Sequence, residues 1–152
     1  MHLVELWKDK SQVRLAMSSD LESLIDLDAI AKQEQKRRAL ITEAISLGQC
    51  WVAVDVRDSS VLLGYGVLND SFFEQAFIPL IVIRDSARRQ GVGSAILRAL
   101  VSQCGTAKLS TSTNASNAPM RKLLGKLGFT DSGQIENLDE GDPELVFVKL
   151  RS

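Results

Sequence analysis

Hydrophobic and polar residues repeat along this chain with two different spacings, which predict a mixture of strands and helices. Residues that alternate, or that are continuously apolar over a short length, predict strands at 13–17, 49–56, 61–68, 76–83, 107–111 and 145–150. Apolar residues spaced three and four apart predict helices that start near Ser19, run through 40–45, and cover 91–104 and 120–127. The order of these elements indicates an α/β protein.

Short polar segments indicate how the predicted elements connect. The turn at 57–60 predicts an antiparallel hairpin, and a loop at 69–75 precedes the next strand. A helix separates the strands at 76–83 and 107–111, and such a crossover predicts that these two strands run parallel. The charged segment 32–38 is interpreted as a solvated helix face rather than an acceptor-binding lip. The sheet is therefore expected to be mixed.

Glycine and proline in the predicted strands limit what packs beside them. Gly64 and Gly66 leave one face of their strand without side chains, so either a ligand or another element is expected to pack closely there. Tyr65 points to the opposite face. Pro79 has no N–H to donate, and it predicts an edge, a bulge or a separation from the neighbouring strand.

Composition and charge narrow the class of protein. With 152 residues, the chain is expected to form a single domain over 1–152. Its 18 basic and 19 acidic residues nearly balance, which gives no sign of a nucleic-acid partner. No apolar run approaches the length of a membrane span, and the start of the chain, with Glu5 and Asp9, lacks the apolar core of a secretory signal. A cytoplasmic protein with no membrane partner is expected.

The cysteines and the histidine argue against a metal site and against a thiol nucleophile. Cys50 and Cys104 both lie in apolar runs and are interpreted as reduced core residues. The single histidine, His2, lies at the start of the chain, so neither a catalytic Cys–His pair nor a zinc-binding cluster is predicted. No metal is expected.

The segment Arg88-Arg89-Gln90-Gly91-Val92-Gly93-Ser94 contains the clearest candidate chemistry. It joins a predicted strand to a predicted helix, and such a turn directs several free N–H groups the same way at the positive end of the helix dipole. Glycine at 91 and 93 permits unusual dihedral angles and lets a phosphate approach closely. The two arginines add positive charge. The segment is predicted to bind phosphate; a helix start with solvated arginines is the alternative.

Two motifs together resemble those of the GNAT N-acetyltransferase superfamily. The first is Gln/Arg-x-x-Gly-x-Gly/Ala at a helix start, present here as Arg88-x-x-Gly91-x-Gly93. The second is an Asn that opens a helix ending in Lys-x-Gly-Phe, present here as Asn117 and Lys126-Leu127-Gly128-Phe129. The resemblance covers about 11–150 in element order. It implies an α/β fold with a mixed, mostly antiparallel sheet of roughly six to seven strands, splayed central strands and about four helices.

The resemblance also implies a transferase that uses acetyl-CoA as co-substrate and moves its acetyl group directly to a primary amine. The pyrophosphate would bind the main-chain N–H groups of the glycine turn, the backbone of the preceding strand would bind the pantetheine arm, and a gap at Pro79 would hold the thioester. Asn117 would orient the pantetheine end, cap its own helix, or do both. The residues implied in cofactor binding are Ile81, Val82, Ile83, Arg88, Arg89, Gln90, Gly91, Val92, Gly93, Ser94 and Asn117.

The two usual catalytic positions of the family are occupied by apolar residues in this chain. Leu124 stands where a tyrosine usually protonates the thiolate, and Phe77 stands where a glutamate is often found. Residues elsewhere are therefore considered for acid and base chemistry. These candidates are Glu74, Tyr65, Ser112 and Asn114. If none of them serves, either solvent deprotonates the amine or the protein binds an acyl-CoA without turnover.

An N-acetyltransferase is thus the leading hypothesis for the function. The alternative is a non-catalytic acyl-CoA-binding regulatory or interaction domain. A nucleotide-binding domain is less favoured, because Ile96 replaces the third glycine of the dinucleotide motif and Gly-Lys-Ser/Thr is absent. No motif specifies whether the acceptor amine belongs to a small molecule or to a protein. The oligomeric state stays open, with a homodimer as the commonest outcome for soluble assemblies.

Overall fold

The computed structural model describes residues 11–151, which form seven strands and five α-helices. The strands are β1 Ser11–Leu15, β2 Cys50–Asp55, β3 Asp58–Phe72, β4 Gln75–Ile83, β5 Lys108–Asn114, β6 Thr130–Ile135 and β7 Glu144–Leu150. The helices are α1 Leu21–Leu27, α2 Ala29–Gln33, α3 Gln35–Ser46, α4 Val92–Gln103 and α5 Ala118–Lys126, with 3-10 turns at Ser18–Asp20 and Asp85–Ala87. His2, Glu5 and Asp9, considered above, lie outside the described residues. Within 11–151, no helix is both long and apolar enough to cross a bilayer.

The seven strands form one mixed sheet in the order β1-β2-β3-β4-β5-β7-β6. Pairing is antiparallel between β1 and β2, β2 and β3, β5 and β7, and β6 and β7, whereas β4 and β5 run parallel. Because α4 separates β4 from β5 along the chain, the predicted parallel crossover is confirmed. The predicted class, a mixed and mostly antiparallel α/β sheet, is also confirmed.

The described residues divide into two compact units. The first contains the residues up to Val67 together with Leu80–Ser102. The second contains Leu68–Pro79 and the residues from Gln103 onward. β3 and β4 therefore contribute residues to both units. The single domain expected over 1–152 stays a prediction.

Helices α1, α2 and α3 cover one face of the sheet in the first unit. The residues of this core are Ala16, Leu24, Leu27, Ala31, Ile41, Ala44, Cys50, Val52, Val54, Leu62, Tyr65 and Val67. Burying each large apolar side chain contributes about 1.5–3 kcal/mol to folding. Burial also raises the pKa of the Cys50 thiol to about 12, which keeps it unreactive. Cys50 and Cys104 are both buried and free, so the prediction of reduced core cysteines is confirmed.

The glycine-bearing face of β3 packs against helix α4. A Cβ atom added at Gly66 would lie 2.7 Å from Cγ2 of Ile96 and 3.0 Å from Cδ1 of Leu100. A Cβ added at Gly64 would lie 2.7 Å from the carbonyl oxygen of Val82 on β4. Of the two partners that the sequence left open for this face, a second structural element is therefore the one observed.

The hairpin of β3 and β4 corrects two predicted connections. Polar residues led us to expect a turn at 57–60 and a loop at 69–75, but β3 runs from Asp58 to Phe72 and takes up most of both segments. Its outer residues are exposed at each end, so they lack an apolar pattern. Phe73 and Glu74 alone connect β3 to β4, with φ angles of 53° and 60°. Two positive φ angles fit a type I′ turn, which is usually built from Asn and Gly.

The second unit contains a strand that the sequence did not predict. The sequence pattern predicts no element between 127 and 145, yet β6 forms there; all six of its residues are exposed, and a strand without a buried face has no alternating pattern. β5 was expected to end at residue 111 but continues to Asn114, with Thr111 and Thr113 buried and Ser112 half-buried between them. The polar residues 112–114, which follow the predicted strand, therefore belong to the strand itself.

Candidate functional site

The glycine turn lies between the end of β4 and the start of α4, as predicted. After the 3-10 turn at Asp85–Ala87, the backbone enters the left-handed region at Arg89, with φ 64°, and again at Gly91, with φ 82°. Helix α4 then begins at Val92. Glycine is suited to such a φ value because it has no Cβ to collide with the following carbonyl. A Cβ at Gly91 would meet no atom within 4 Å, so the space beside this residue is open.

The turn presents consecutive backbone N–H groups that have no acceptor within residues 11–151. The N–H of Ala95 makes the first bond of the helix, to the carbonyl of Gly91 at 3.0 Å. The N–H groups before it, from Arg89 through Ser94, donate to no backbone carbonyl of the described residues. Helix starts leave such donors free, and the helix dipole adds positive potential at the same place. The arrangement is chemically suited to an anion such as a phosphate.

Side chains around the turn contribute positive charge and limited contacts. Arg88 and Arg89 are exposed. The Nε of Arg88 lies 3.2 Å from Oδ1 of Asp85, an exposed ion pair that holds the arginine only weakly. The Nε2 of Gln90 donates to the carbonyl of Ser86 at 3.3 Å. The backbone, rather than these side chains, therefore defines the geometry of the turn.

Strand β4 leads into the turn with part of its backbone directed away from β3. The N–H of Arg84, directly after the strand, donates to the carbonyl of Leu63 on β3 at 2.8 Å. The N–H and C=O groups of successive residues alternate between the two edges of a strand, so those of Ile81 and Ile83 point to the edge opposite β3. The carbonyl oxygen of Val82 lies beside β3, 2.7 Å from where a Cβ atom added at Gly64 would be.

The parallel ladder between β4 and β5 is short. Its residue pairs are Phe77 with Ser110 and Ile78 with Thr111, and the hydroxyl of Thr111 also donates to the carbonyl of Ile78 at 2.9 Å. Pro79 follows directly and has no N–H to extend a ladder. The sequence predicts an edge, a bulge or a separation from the neighbouring strand at Pro79. The short ladder fits the separation, because regular pairing between β4 and β5 ends there.

Asn117 opens helix α5, as the second motif predicts. Its Oδ1 accepts a hydrogen bond from the N–H of Met120 at 3.2 Å, which makes Asn117 the N-cap. Pro119 lies in the first turn of this helix, where its missing N–H leaves no bond unmade. The capping role is therefore observed, and the role in orienting a cofactor stays a prediction.

The two apolar replacements at the usual catalytic positions lie in packed surroundings. Leu124 is fully buried in the second unit. The ring of Phe77 stacks on the ring of Phe72, with centroids 4.9 Å apart and planes at 21°. Neither side chain can give or accept a proton, so both positions are occupied by packing residues.

The four candidate acid–base residues lie in three different environments. Glu74 is exposed in the β3–β4 turn. Tyr65 is fully buried in the core of the first unit, where its hydroxyl donates to Oδ2 of Asp28 at 2.6 Å. Ser112 and Asn114 lie two residues apart on β5 and are half-buried. Of the four residues, only Ser112 and Asn114 lie close together. The candidates therefore do not form one acid–base site within either unit.

The structure reveals a partner for each of the two β5 residues. The Oγ of Ser112 donates to Oε2 of Glu144 at 2.7 Å. The Nδ2 of Asn114 donates to Oδ2 of Asp139 at 2.8 Å. We did not predict Glu144 as a site residue, although an acidic residue directly before the predicted strand at 145–150 was a usable signal. Its pairing with β5 was not readable, because that pairing joins residues about thirty positions apart.

Residues 11–151 contain no group of three or more His, Cys, Asp and Glu side chains arranged to hold a metal ion. The turn at 88–94, which lies within the first unit, combines free backbone N–H donors with two exposed arginines. Its chemistry is suited to an anionic organic ligand.

Comparisons with known proteins agree with this geometry. The model of the acetyltransferase (GNAT) family matches residues 18–129. A GNAT-family acetyltransferase from Bacillus cereus is 33% identical, with a TM-score of 0.84, over 93% of this chain and 98% of that chain. No curated protein matches the chain.

Two more distant structures share the fold. A putative acetyltransferase from Salmonella typhimurium, solved with its cofactor acetyl-CoA, is 16% identical with a TM-score of 0.74, and 95% of each chain is covered. The ribosomal-protein-S18-alanine N-acetyltransferase from Escherichia coli is 17% identical with a TM-score of 0.78, over 93% of this chain and 94% of that chain.

Proposed function

Because this chain belongs to the acetyltransferase (GNAT) family, we propose that it is an acetyl-CoA-dependent N-acetyltransferase that moves an acetyl group directly to a primary amine. The observation that supports this most is the row of N–H groups from Arg89 to Ser94, which lack acceptors within residues 11–151, together with the open space beside Gly91. A pyrophosphate supplies several anionic oxygens that such a row binds.

The other contacts of the cofactor follow from this position. Arg88 and Arg89 lie beside the turn and favour the negative charge of the phosphates. The outward N–H and C=O groups of Ile81 and Ile83 would pair with the amides of the pantetheine arm in the manner of an added strand, while those of Val82 face β3. Asn117 would orient the end of that arm in addition to capping its helix.

Transfer of the acetyl group then depends mainly on orientation. The amine nitrogen forms a bond to the thioester carbonyl carbon, and the carbon–sulfur bond breaks. Holding the amine and the thioester together removes much of the entropic cost of a bimolecular reaction. Backbone amides along β4 would stabilise the negative charge that develops on the carbonyl oxygen.

The acceptor is proposed to be an amine of a small molecule or of a protein. The Escherichia coli structure named above is an enzyme that acts on an alanine of a ribosomal protein. We further propose a cytoplasmic protein without nucleic-acid or membrane partners, in which a homodimer is the expected assembly.

A second function, acyl-CoA binding without turnover, is favoured by one specific observation. Leu124 is buried and Phe77 is stacked on Phe72, so neither of the usual catalytic positions has a proton to exchange. A regulatory or interaction domain needs the phosphate turn but not these groups.

Thermal unfolding with added ligands tests the shared premise of both functions. A ligand at about 100 times its Kd stabilises the folded protein by about 2.7 kcal/mol, so acetyl-CoA is expected to raise the melting temperature by several degrees. Acetyl-pantetheine, which lacks the nucleotide and the pyrophosphate, is the matched control and is expected to give little shift. No shift with millimolar acetyl-CoA contradicts both functions.

Release of free thiol separates the two functions. The protein is mixed with acetyl-CoA and a panel of amines that includes polyamines, amino acids and short peptides with free N-termini. Steady turnover with any of these amines excludes a purely binding role. Binding of acetyl-CoA without turnover across the panel favours the second function.

A further inference from the structure

One polar pair in the second unit combines a hydroxyl with a carboxylate. The Oγ of Ser112 on β5 donates to Oε2 of Glu144 on β7 at 2.7 Å. The antiparallel register pairs Ser112 with Val146 and Asn114 with Glu144, so Glu144 lies diagonally opposite Ser112 on the same face of the sheet. Both residues are half-buried, so part of the surface of each remains exposed.

The pair lies directly beyond the end of the parallel ladder. The ladder joins Phe77 to Ser110 and Ile78 to Thr111, and the next residues along the two strands are Pro79 and Ser112. All of these residues lie in the second unit. Ser112 is therefore the first residue of β5 past the point where Pro79 ends regular pairing with β4. A backbone without a ladder partner is where a ligand can insert between neighbouring strands.

The other candidates at this position lack the chemistry. Phe77 and Leu124 are apolar, and Asn114 has an amide that does not titrate. Glu74 is exposed in the hairpin turn that precedes β4, two residues before Ala76. The hydroxyl of Tyr65 is already donated to Asp28 in the first unit. Ser112 and Glu144 are thus the polar pair that fits best.

We propose that the Ser112 hydroxyl contacts the acceptor amine and passes one of its protons to the Glu144 carboxylate. This inference rests on the proposed acetyltransferase function. The amine arrives as an ammonium group, which has no lone pair to react. One ammonium proton moves to the Ser112 oxygen while the hydroxyl proton moves to Glu144, and the neutral amine is left beside the thioester.

The remaining steps balance without another reactant. The nitrogen lone pair forms the bond to the carbonyl carbon, and the electrons of the carbon–sulfur bond leave with the sulfur. The nitrogen then gives up a proton, the thiolate takes it, and the products are the amide and free CoA thiol. Glu144 releases its proton to solvent and returns to a carboxylate. Ser112 is the catalytic residue in this scheme, and Glu144 acts through it.

Two substitutions separate proton transfer from a structural role. Glu144→Gln keeps the shape and an oxygen that accepts the Ser112 hydrogen bond, but the amide takes no proton. Ser112→Ala removes the hydroxyl, whereas Ser112→Thr keeps a hydroxyl at this position, on a residue type that is favoured in strands. Ser110→Ala is the matched control, because Ser110 is also half-buried and lies two residues earlier on the same face of β5.

We expect kcat to fall by roughly 100-fold in Ser112→Ala and Glu144→Gln, since a positioned base contributes about 10²–10⁴-fold. The KM for acetyl-CoA and the melting-temperature shift with acetyl-CoA should stay unchanged. Ser112→Thr should recover at least part of the lost rate, and Ser110→Ala should match the wild type. A Glu144→Gln variant that loses stability but not kcat indicates a structural bond and overturns the proposal.

The outcomes distinguish this inference from the proposed function. If the wild type binds acetyl-CoA and acetylates an amine, but both variants keep kcat within about threefold, the relay is wrong and the acetyltransferase function stands. If the wild type binds acetyl-CoA and turns over no amine of the panel, the relay is also overturned. If acetyl-CoA does not bind, the proposed function itself has failed.

Discussion

The hydroxyl of Tyr65 donates a hydrogen bond of 2.6 Å to Oδ2 of Asp28 and thereby ties β3 to the start of α2. The same oxygen accepts from Nη1 of Arg37 on α3 at 2.9 Å. Oδ1 of Asp28 accepts from the N–H groups of Ile30 and Ala31 at 2.9 and 3.2 Å. Because every oxygen of this buried carboxylate has partners, the cost of removing its charge from water is offset.

This network fixes the protonation state of both acidic groups. Burial raises the pKa of Asp28, but the hydrogen bonds from Tyr65 and Arg37 outweigh it, and the net pKa is lowered. Burial also raises the pKa of Tyr65, and the adjacent Asp28 raises it further. The tyrosine therefore stays neutral as a donor to Asp28. We assign it a structural role instead of the acid–base role considered from the sequence.

Tyr65→Phe tests this assignment. The variant leaves Asp28 with one donor fewer, and a hydrogen bond to a charged group contributes about 1.5–3 kcal/mol. We expect the free energy of unfolding in urea to fall by that amount. The folded variant should show the same melting-temperature shift with acetyl-CoA and the same rate of thiol release as the wild type. A tenfold lower rate at saturating acetyl-CoA would show that Tyr65 takes part in catalysis.

Removing the Asp28 carboxylate itself should lower the free energy of unfolding by more than Tyr65→Phe does. Asp28→Ala leaves the Arg37 guanidinium, whose side chain is 19% exposed, without its charge partner, and breaking such a buried pair costs about 3–5 kcal/mol. Asp26→Ala, on the neighbouring helix α1, is the matched control. Asp26 is 69% exposed and lies 3.7 Å from Arg84, so its loss should cost at most about 1 kcal/mol. Urea unfolding of both variants gives the comparison; equal losses contradict the importance of the buried network.

Acid should destabilise the protein through the same carboxylate. The pKa of Asp28 is lower in the folded state than its unfolded value of about 3.9, so its contribution is fully present above that value. The contribution is lost as the pH falls below about 3.9 toward the lower folded pKa, because the unfolded state then binds the proton first. Asp20 acts in the same direction, since the hydrogen bond from Arg14 lowers its pKa.

The unfolding free energy measured between pH 6 and pH 3 checks this sign. The wild type should lose stability steeply below about pH 4, and Asp28→Asn, which cannot ionise there, should show a shallower slope. Parallel slopes for the two proteins contradict the lowered pKa of Asp28.

The glycine turn and Asn117 could be predicted from the sequence because each acts through local backbone geometry. Arg88 to Ser94 and the helix cap need only a few neighbouring residues to define them, and both occur where expected. The parallel pairing of β4 and β5 was predictable for a similar reason, since crossover connections follow a general rule.

Features that depend on residues far away in the sequence, or on full exposure to solvent, could not be predicted from local sequence patterns. Tyr65 was considered for catalysis because its partner Asp28 lies 37 positions away, and no local pattern joins the two. Strand β6 has no buried face and resembles a loop in composition. Glu144 acquires its meaning from the register of β7 on β5. Tertiary contacts decide all three.

The packing of β3 against α4 gives a prediction that does not involve a ligand. Gly66→Ala would place its Cβ 2.7 Å from Cγ2 of Ile96, so the Ile96 side chain or its helix must shift, and overpacking of this kind costs about 1–3 kcal/mol. Gly125→Ala is the control, because a Cβ there meets no atom within 4 Å and alanine favours a helix by about 1 kcal/mol. Urea unfolding should therefore show opposite signs for the two variants. Stabilisation by Gly66→Ala would mean that α4 packs less closely than described.

The phosphate turn gives the most direct prediction about the cofactor. Gly91 has a φ of 82°, so Gly91→Val strains the backbone by about 1–2 kcal/mol, and its side chain would also occupy the open space beside this residue. Gly48→Val is the matched control, because Gly48 has a φ of 68°, a Cβ there also meets nothing within 4 Å, and the residue follows α3.

Both valine variants should lose similar stability in urea, since the backbone strain is alike. We expect acetyl-CoA to bind Gly91→Val at least about tenfold more weakly, a loss of roughly 1.4 kcal/mol, and to bind Gly48→Val as it binds the wild type. Titration calorimetry of the folded proteins measures both affinities. If Gly91→Val keeps the wild-type affinity, the proposal that the phosphates bind at this turn is contradicted, because a branched side chain at residue 91 is expected to hinder their close approach to the backbone.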